Sequence, residues 1–336
     1  MNLSLDITKA QAANIYDYTL RILEDLPERA VVELLEGYDN DFNNLIGEVY
    51  NQVYTVMNFP STLDTEKLEY LDNLEASMDV SLKKLSYNYF KTTVLHNFRQ
   101  NWRNIEWGNL VQLYPFLNIN AARSHGKSFE FCVALGIWNL YSYDKPSYFQ
   151  QDTIDNHNRK ETLMVTNTEK LATEHASKII EEIKFNDILR EKLNPNNRAT
   201  LGTTKIVTET GSILHAHGLF GFNRGLHTGT VIGDDLPDES SLYSAEQRAK
   251  VKERVYGTLS PIVEPMGRFI ISGTPYHEAD IYSDLRKDPN FKCFEYPAVM
   301  PDGRLLSSDR FTWDKLMDVK ESLGSIVFSR EYMVLP

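Results

Sequence analysis

Three short stretches of this chain carry side chains suited to handling phosphate. The first is Ala121-Ala122-Arg123-Ser124-His125-Gly126-Lys127-Ser128. It has the spacing of a phosphate-binding loop, G-x-x-x-x-G-K-[ST] between a strand and a helix. Such a loop works through its backbone. Successive N–H groups and the start of the following helix form an anion nest. Gly126 lets that backbone approach the phosphates closely. Lys127 is placed to reach the β- and γ-phosphates of ATP, and Ser128 to coordinate Mg²⁺. Ala121 stands where the pattern has its first glycine.

The second stretch is Thr230-Val231-Ile232-Gly233-Asp234-Asp235, an apolar run ending in two acids. This is the Walker B pattern. Asp234 is expected to hold Mg²⁺ through water and Asp235 to polarise the attacking water as general base. The same pair also suits a plain turn. The third, Ile271-Ser272-Gly273-Thr274-Pro275, can bring a polar side chain near a γ-phosphate, or can be an ordinary strand-to-loop turn. Ser272, Gly273 and Thr274 are its candidate residues.

Two arginines offer the planar, permanent charge that stabilises a transferring phosphoryl group. Arg123 lies inside the loop and suits action within its own subunit. Arg224, between Gly221 and Gly225, suits an arginine finger reaching a neighbouring subunit, or a surface salt bridge. His215 and His217 share a face if they lie on a strand. No third ligand lies near them in sequence, which argues against zinc. His277 and Asp280 suit a lid coupling, and Asp280 equally suits a helix start.

Elements must hold these residues in place. Residues 116–120 read as a strand and 129–140 as a helix. Residues 162–166 read as a buried strand, with Asn167 or Thr168 capping a helix to about Lys184. Residues 204–208 and 212–216 alternate around Thr210-Gly211, a hairpin signal. Val231-Ile232 and Phe269-Ile270-Ile271 are short apolar runs. Strands alternating with helices predict an α/β fold with a largely parallel sheet. Ligands on such sheets sit at the carboxyl ends of strands, where all three motifs fall. Residues 7–90 read as acidic helices, and residues 91–113 contain a further helix with Phe98, Trp102, Ile105, Trp107 and Leu110.

The bulk properties set bounds. With 336 residues, 42% hydrophobic and 24% charged, the composition is that of a globular protein. No stretch of about 18 apolar residues suggests a membrane span. Met1 to Asp6 lacks a signal-peptide pattern. Cys132 and Cys293 have no metal-ligand spacing and read as free thiols. The formal charge is −12, of which −10 falls in residues 1–90 and −2 in residues 91–336. A protein that wraps duplex is usually basic, so nucleic-acid contact here is expected to be local or transient.

Taken in order, the motifs resemble those of the large terminase subunits of tailed bacteriophages, over roughly Asn97 to Pro336. The resemblance runs through Trp107-Gly108-Asn109-Leu110-Val111, the phosphate loop and Val165-Thr166-Asn167-Thr168. It continues through Gly211-Ser212, Gly221 to Gly225 and the acid pair with Leu236-Pro237-Asp238. Ser272-Gly273-Thr274-Pro275-Tyr276-His277 resembles the family's coupling motif. Phe328-Ser329-Arg330-Glu331-Tyr332 with Pro336 resembles its exit from the ATPase domain. Arg123, three residues before Gly126, matches a family trait. Ala121, and Asp235 where glutamate is commoner, are departures.

The resemblance implies a RecA-like (ASCE) P-loop ATPase that uses ATP and Mg²⁺ to drive double-stranded DNA into an empty capsid. It implies a homo-oligomeric ring, a pentamer, with the portal protein and the small terminase subunit as partners. The expected location is host cytoplasm, transiently at the portal vertex. The organisation expected is an acidic helical segment over 1–90, a P-loop core over 91–275 and a lid and linker over 276–336. The family's nuclease domain would begin beyond Pro336, so no nuclease activity is expected of this chain. Two other classes fit the loop and acid pair: a helicase-like P-loop ATPase, and a nucleotide-binding scaffold without turnover. The scaffold has no need of an acid such as Asp235.

Overall fold

The computed structural model describes residues 79–80, 82–95, 98, 101–146, 154–221, 225–237 and 240–336. The helices expected within residues 7–78 lie outside these, and so does Arg224. The chain divides into two compact units, 1–100 with 105–113 and 101–104 with 114–336.

In the first unit, helix α1 (Tyr87–Val94) starts where the Ser86 hydroxyl accepts from the Tyr89 N–H at 3.2 Å. The chain leaves helical geometry at Leu95, and the helix expected within 91–113 follows. It is α2 (Trp102–Leu113), whose residues 105–113 belong to this unit. Asn88 joins the two by donating to the Ile105 carbonyl at 3.1 Å and to Asn109 Oδ1 at 2.8 Å.

The second unit is built on one eight-stranded sheet. Its strands are β1 (Phe116–Ala121), β2 (Glu161–Thr166), β3 (Thr200–Leu201), β4 (Lys205–Val207), β5 (Ile213–Gly218), β6 (Thr228–Asp234), β7 (Val263–Gly273) and β8 (Lys292–Tyr296). Their order is β3-β4-β5-β2-β6-β7-β1-β8. The β3–β4 and β4–β5 pairs are antiparallel, and the rest of the sheet is parallel. The hairpin around Thr210-Gly211 is the β4–β5 pair, with Ile206 opposite Leu214. β8, on the far edge, had no clear sequence signal: its pattern is mixed, with only Tyr296 fully buried.

The three motif strands β6, β7 and β1 are neighbours in the sheet. Register sets their ends level: Asp234 pairs with Ser272, and Asn120 pairs with Gly273. β6 is buried along its whole length, as a central parallel strand must be.

Helices cover the sheet. The segment after the phosphate loop is a π-helical turn over Phe129–Ala134, running into α3 (Leu135–Ser142). The expectation was a plain helix over 129–140. Wider i→i+5 turns recur at functional sites. Thr168 caps α4 (Glu169–Phe185), its hydroxyl accepting from the Leu171 N–H at 3.3 Å. A second helical layer follows β6 and includes α5 (Ala245–Arg254). Val251, Val255 and Leu259 from this layer pack with Leu163, Val165, Val231, Phe269 and Ile271 of the sheet. Each such buried side chain contributes roughly 1.5–3 kcal/mol through loss of water contact. After β7 come α6 (Ile281–Leu285), α7 (Trp313–Leu323) and α8 (Ser325–Met333). Among the described residues no helix is long and apolar enough to cross a membrane.

Candidate functional site

Parallel strands β1, β6 and β7 deliver their carboxyl ends to one place, a cavity of about 370 Å³. Its wall includes Arg123, Ser124, Gly126, Lys127, Ser128 and Phe129 from the phosphate loop and the helix start, together with Asp235 and Thr274. All three sequence motifs therefore face a single space. The chain beyond β7 adds Tyr276, Arg310 and Glu331.

The loop turns sharply because Ser124 and Gly126 both have positive φ, 65° and 90°. Gly126 tolerates this without cost, and Ser124 does so under strain. Its start is tied down: the Ala122 N–H donates to the Tyr296 carbonyl of β8 at 3.0 Å, and the Arg123 N–H donates to the Glu331 carbonyl at 2.8 Å. Lys127 folds back, buried, and donates to the Ala121 carbonyl at 2.8 Å, the Ala122 carbonyl at 3.2 Å and Thr274 Oγ1 at 2.9 Å. Among the described residues it makes no direct salt bridge, although Asp234 and Asp235 both feel its charge. Its amine is thus held at the cavity by neutral oxygens that an anion can replace.

The acid pair divides into an inner and an outer group. Asp234 is fully buried and accepts from Ser272 Oγ at 2.5 Å through Oδ1. Among the described residues nothing donates a hydrogen bond to its Oδ2, and His175 Nε2 lies 3.8 Å from it. Burial raises its pKa, against the pull of the Ser128 and Ser272 hydroxyls and of Lys127. Asp235 faces the cavity with φ +44°, a left-handed conformation that aspartate tolerates better than most residues. Its N–H donates to the Ser272 carbonyl at 3.0 Å, and its Oδ1 accepts from the Thr274 N–H at 3.2 Å. Burial, then the neighbouring Asp234, push its carboxyl up to about 6. A carboxylate tuned toward neutrality is suited to proton transfer.

Ser272, Gly273 and Thr274 link the two halves of the site. Ser272 holds Asp234, while Thr274 holds Lys127 and donates to the Ala121 carbonyl at 3.0 Å. A Cβ on Gly273 would stand 1.8 Å from the Tyr282 hydroxyl, so only glycine fits there.

Behind Asp234 lie Cys132 and His175, their ligand atoms all within 4.8 Å of one another. Burial, aided by Asp234 and Asp235, pushes the Cys132 thiol well up, and burial lowers His175 to about 4. Both are therefore neutral near pH 7 and line the back of the carboxylate. The Ser128 hydroxyl lines the cavity, and the buried Asp234 carboxylate behind it interacts with that hydroxyl. Hydroxyl and carboxylate oxygens are the donors a hard ion such as Mg²⁺ takes, usually with several waters.

Other expected residues fall as follows. His125 is buried beside the loop, its Nδ1–H donating to the Arg123 carbonyl at 2.7 Å and its ring stacked on Phe311 at 4.8 Å. Burial lowers its pKa to about 4. Arg123 points outward, 3.5 Å from the buried Glu331 carboxylate. His215 and His217 lie on one face of β5, each beside a glutamate, Glu161 at 2.8 Å and Glu169 at 3.3 Å. Asp280 is a helix start: it accepts from the Tyr282 and Ser283 N–H groups and also from those of Tyr276 and His277.

No sequence signal marks Arg310, and Glu331 stands out only within Phe328-Ser329-Arg330-Glu331-Tyr332. Nor does one mark Arg103. It is a buried arginine that donates to the Leu306 carbonyl at 3.2 Å and to Ser307, fastening the lid segment. Only its burial beside Leu306, Ser307 and Asp309 marks it, and burial is not visible in sequence.

Solved structures offer a comparison for this geometry. A mutant form of the large terminase ATPase domain of Thermus phage P74-26 matches with a TM-score of 0.50 and 12% identity, over 74% of this chain and 97% of that one. The large terminase of bacteriophage HK97 matches at 0.48 and 14%, over 70% of this chain and 50% of that one. The chain thus spans about half the length of the HK97 protein. The large terminase of the thermophilic phage D6E, solved with ADP, matches at 0.38 and 11%, over 75% of this chain and 52% of that one. No protein-family signature and no curated protein matches the sequence. The likeness to the P74-26 domain shows the fold: the chain has the α/β fold of a large terminase ATPase domain, a RecA-like P-loop ATPase fold.

Proposed function

We propose that this chain is a Mg²⁺-dependent ATPase of the large-terminase kind, whose hydrolysis drives double-stranded DNA into a viral capsid. The observation that carries the ATPase reading is convergence. Lys127, Asp235 and Thr274 come from three neighbouring strand ends and meet at one cavity beside a phosphate-binding loop. The translocation reading rests further on the order of the motifs and on the likeness of fold.

In this proposal the loop N–H groups and Lys127 bind the phosphates, Lys127 exchanging its carbonyl partners for phosphate oxygens. Ser128 and Asp234 would hold Mg²⁺, which when bound offsets charge on the β- and γ-phosphate oxygens. Asp235 orients the attacking water and takes its proton. Thr274 keeps Lys127 and Asp235 in register with each other. Arg123 and Arg224 are the candidate charge-stabilising arginines, Arg123 after release from Glu331. A ring of copies, the portal protein and the small terminase subunit are the proposed partners, at the portal vertex in host cytoplasm.

Steady-state hydrolysis by the pure chain, with and without Mg²⁺, tests the enzyme. We expect Mg²⁺-dependent turnover that Lys127→Ala abolishes. Unchanged turnover in folded Lys127→Ala would remove this cavity from the reaction. Stimulation by duplex DNA and portal, absent with either alone, tests the packaging role. A nucleotide-binding scaffold would instead bind ATP without hydrolysing it, and Asp235 would then have no task.

A further inference from the structure

We propose that Arg310, from the lid segment, binds the α/β-phosphate part of the nucleotide, the part that ATP and ADP share. This inference rests on the ATPase reading above and assigns a residue that the motifs do not contain.

The side chain is exposed, and its backbone is fixed. Arg103 grips the Leu306 carbonyl and Ser307, both buried. The Ser307 carbonyl accepts from the Arg310 N–H at 3.1 Å and the Phe311 N–H at 2.8 Å. Phe311 in turn stacks on His125 of the phosphate loop. This segment therefore sits at a set height over the loop, with a long side chain projecting from it.

The guanidinium reaches the loop itself. Its Nη1 donates to the Ser124 carbonyl at 2.9 Å, and it lies 3.8 Å from where a Cβ on Gly126 would stand. Backbone N–H groups at this part of a phosphate loop cradle the α- and β-phosphates, while the lysine reaches toward the γ-phosphate. Arg310 is thus over the cradle. The two arginines lining the cavity also differ in their partners. Arg123 faces the Glu331 carboxylate, whereas Arg310 has no carboxylate within salt-bridge distance among the described residues. One of its five donors is spent on a carbonyl, and the rest suit bidentate binding of phosphate oxygens.

A residue that binds what ATP and ADP share contributes equally to ground and transition states, so its loss raises KM and spares kcat. The test measures affinity for ADP and for a non-hydrolysable ATP analogue in wild type, Arg310→Ala and Arg310→Lys, with kcat and KM for ATP. We expect both affinities to fall together in Arg310→Ala by roughly 10–100-fold, the worth of a charged hydrogen bond. KM should rise by a similar factor, kcat should fall less than about threefold, and Arg310→Lys should recover part of the affinity. Loss for the ATP analogue alone, a fall in kcat at unchanged KM, or no loss at all would each overturn the assignment. If wild type binds neither nucleotide, the ATPase reading falls and this inference falls with it. Arg310 is exposed, so the alanine variant is expected to fold, and an unchanged melting temperature verifies this.

Discussion

Replacing Asp235 with asparagine should make the protein more stable while stopping its chemistry. The carboxyl is pushed up from 3.8 to about 6, first by burial and then by Asp234. Between those pH values the folded protein binds more protons than the unfolded chain. Unfolding free energy therefore falls as pH rises through that window, and the loss is complete above about pH 6. A shift of roughly two units corresponds to ~3 kcal/mol at about 1.4 kcal/mol per unit. The pair shares that cost, and Asp235 keeps some contact with the cavity, so ~1–3 kcal/mol is the expected gain on removing its charge. Asparagine keeps the shape, can accept the Thr274 N–H bond through its carbonyl, and tolerates the positive φ of this position.

Thermal unfolding at pH 7.5 should show a melting temperature about 2–12 °C higher for Asp235→Asn, at roughly 2–4 °C per kcal/mol for a domain of this size. The advantage should shrink as pH drops from 6 toward 4, where wild type regains its proton. Turnover should fall on the order of 10²-fold or more with the base gone. Wild-type turnover should itself decline below about pH 6. An Asp235→Asn protein no more stable than wild type at pH 7.5, or a gain of equal size at pH 4, would refute the electrostatic reasoning.

Other substitutions separate the remaining roles. Asp234→Asn should shift the Mg²⁺ dependence of hydrolysis, and a shift with Asp235→Asn instead would reverse the two assignments. Gly273→Ala should cost about 1–3 kcal/mol in chemical denaturation, because its Cβ meets the Tyr282 ring and hydroxyl, with partial recovery on adding Tyr282→Phe. Arg224→Ala mixed with Lys127→Ala should regain part of the lost hydrolysis if Arg224 acts on a neighbouring subunit; no recovery in demonstrably mixed assemblies would leave Arg123 as the better candidate.

The parts of the site made by contiguous residues were legible in the sequence. The phosphate loop announces itself through Gly126-Lys127-Ser128 between a strand and a helix. Apolar β6 announces itself by ending in acids. Even the adjacency of β6, β7 and β1 was half given, since parallel strands present ligands at one edge. The lid was not legible. Arg310, Glu331 and Arg103 lie about two hundred residues from the loop or in a helix start, and no local periodicity marks a side chain whose partner is a distant carbonyl. The π-helical turn after Ser128 was also hidden, because its composition is that of an ordinary apolar helix. β8 escaped because an edge strand needs only part of one face to be apolar.

The lid contacts bear on how hydrolysis would be felt elsewhere. Arg123 is bound twice to Glu331, backbone to backbone at 2.8 Å and by its side chain at 3.5 Å. Glu331 lies in α8, and the next residue, Tyr332, gives its carbonyl to the Ala298 N–H at 2.7 Å. The phosphate loop, the chain at and just past the end of β8, and α8 thus form one hydrogen-bonded chain. Buried Glu331 also accepts from Arg330 at 3.1 Å, so losing Arg123 does not leave it unpaired. That makes the Arg123 ion pair the contact that can break at low cost. In the ATPase reading, a nucleotide phosphate that attracts Arg123 competes with Glu331, and its arrival or departure is a change that α8 can register through the same residue.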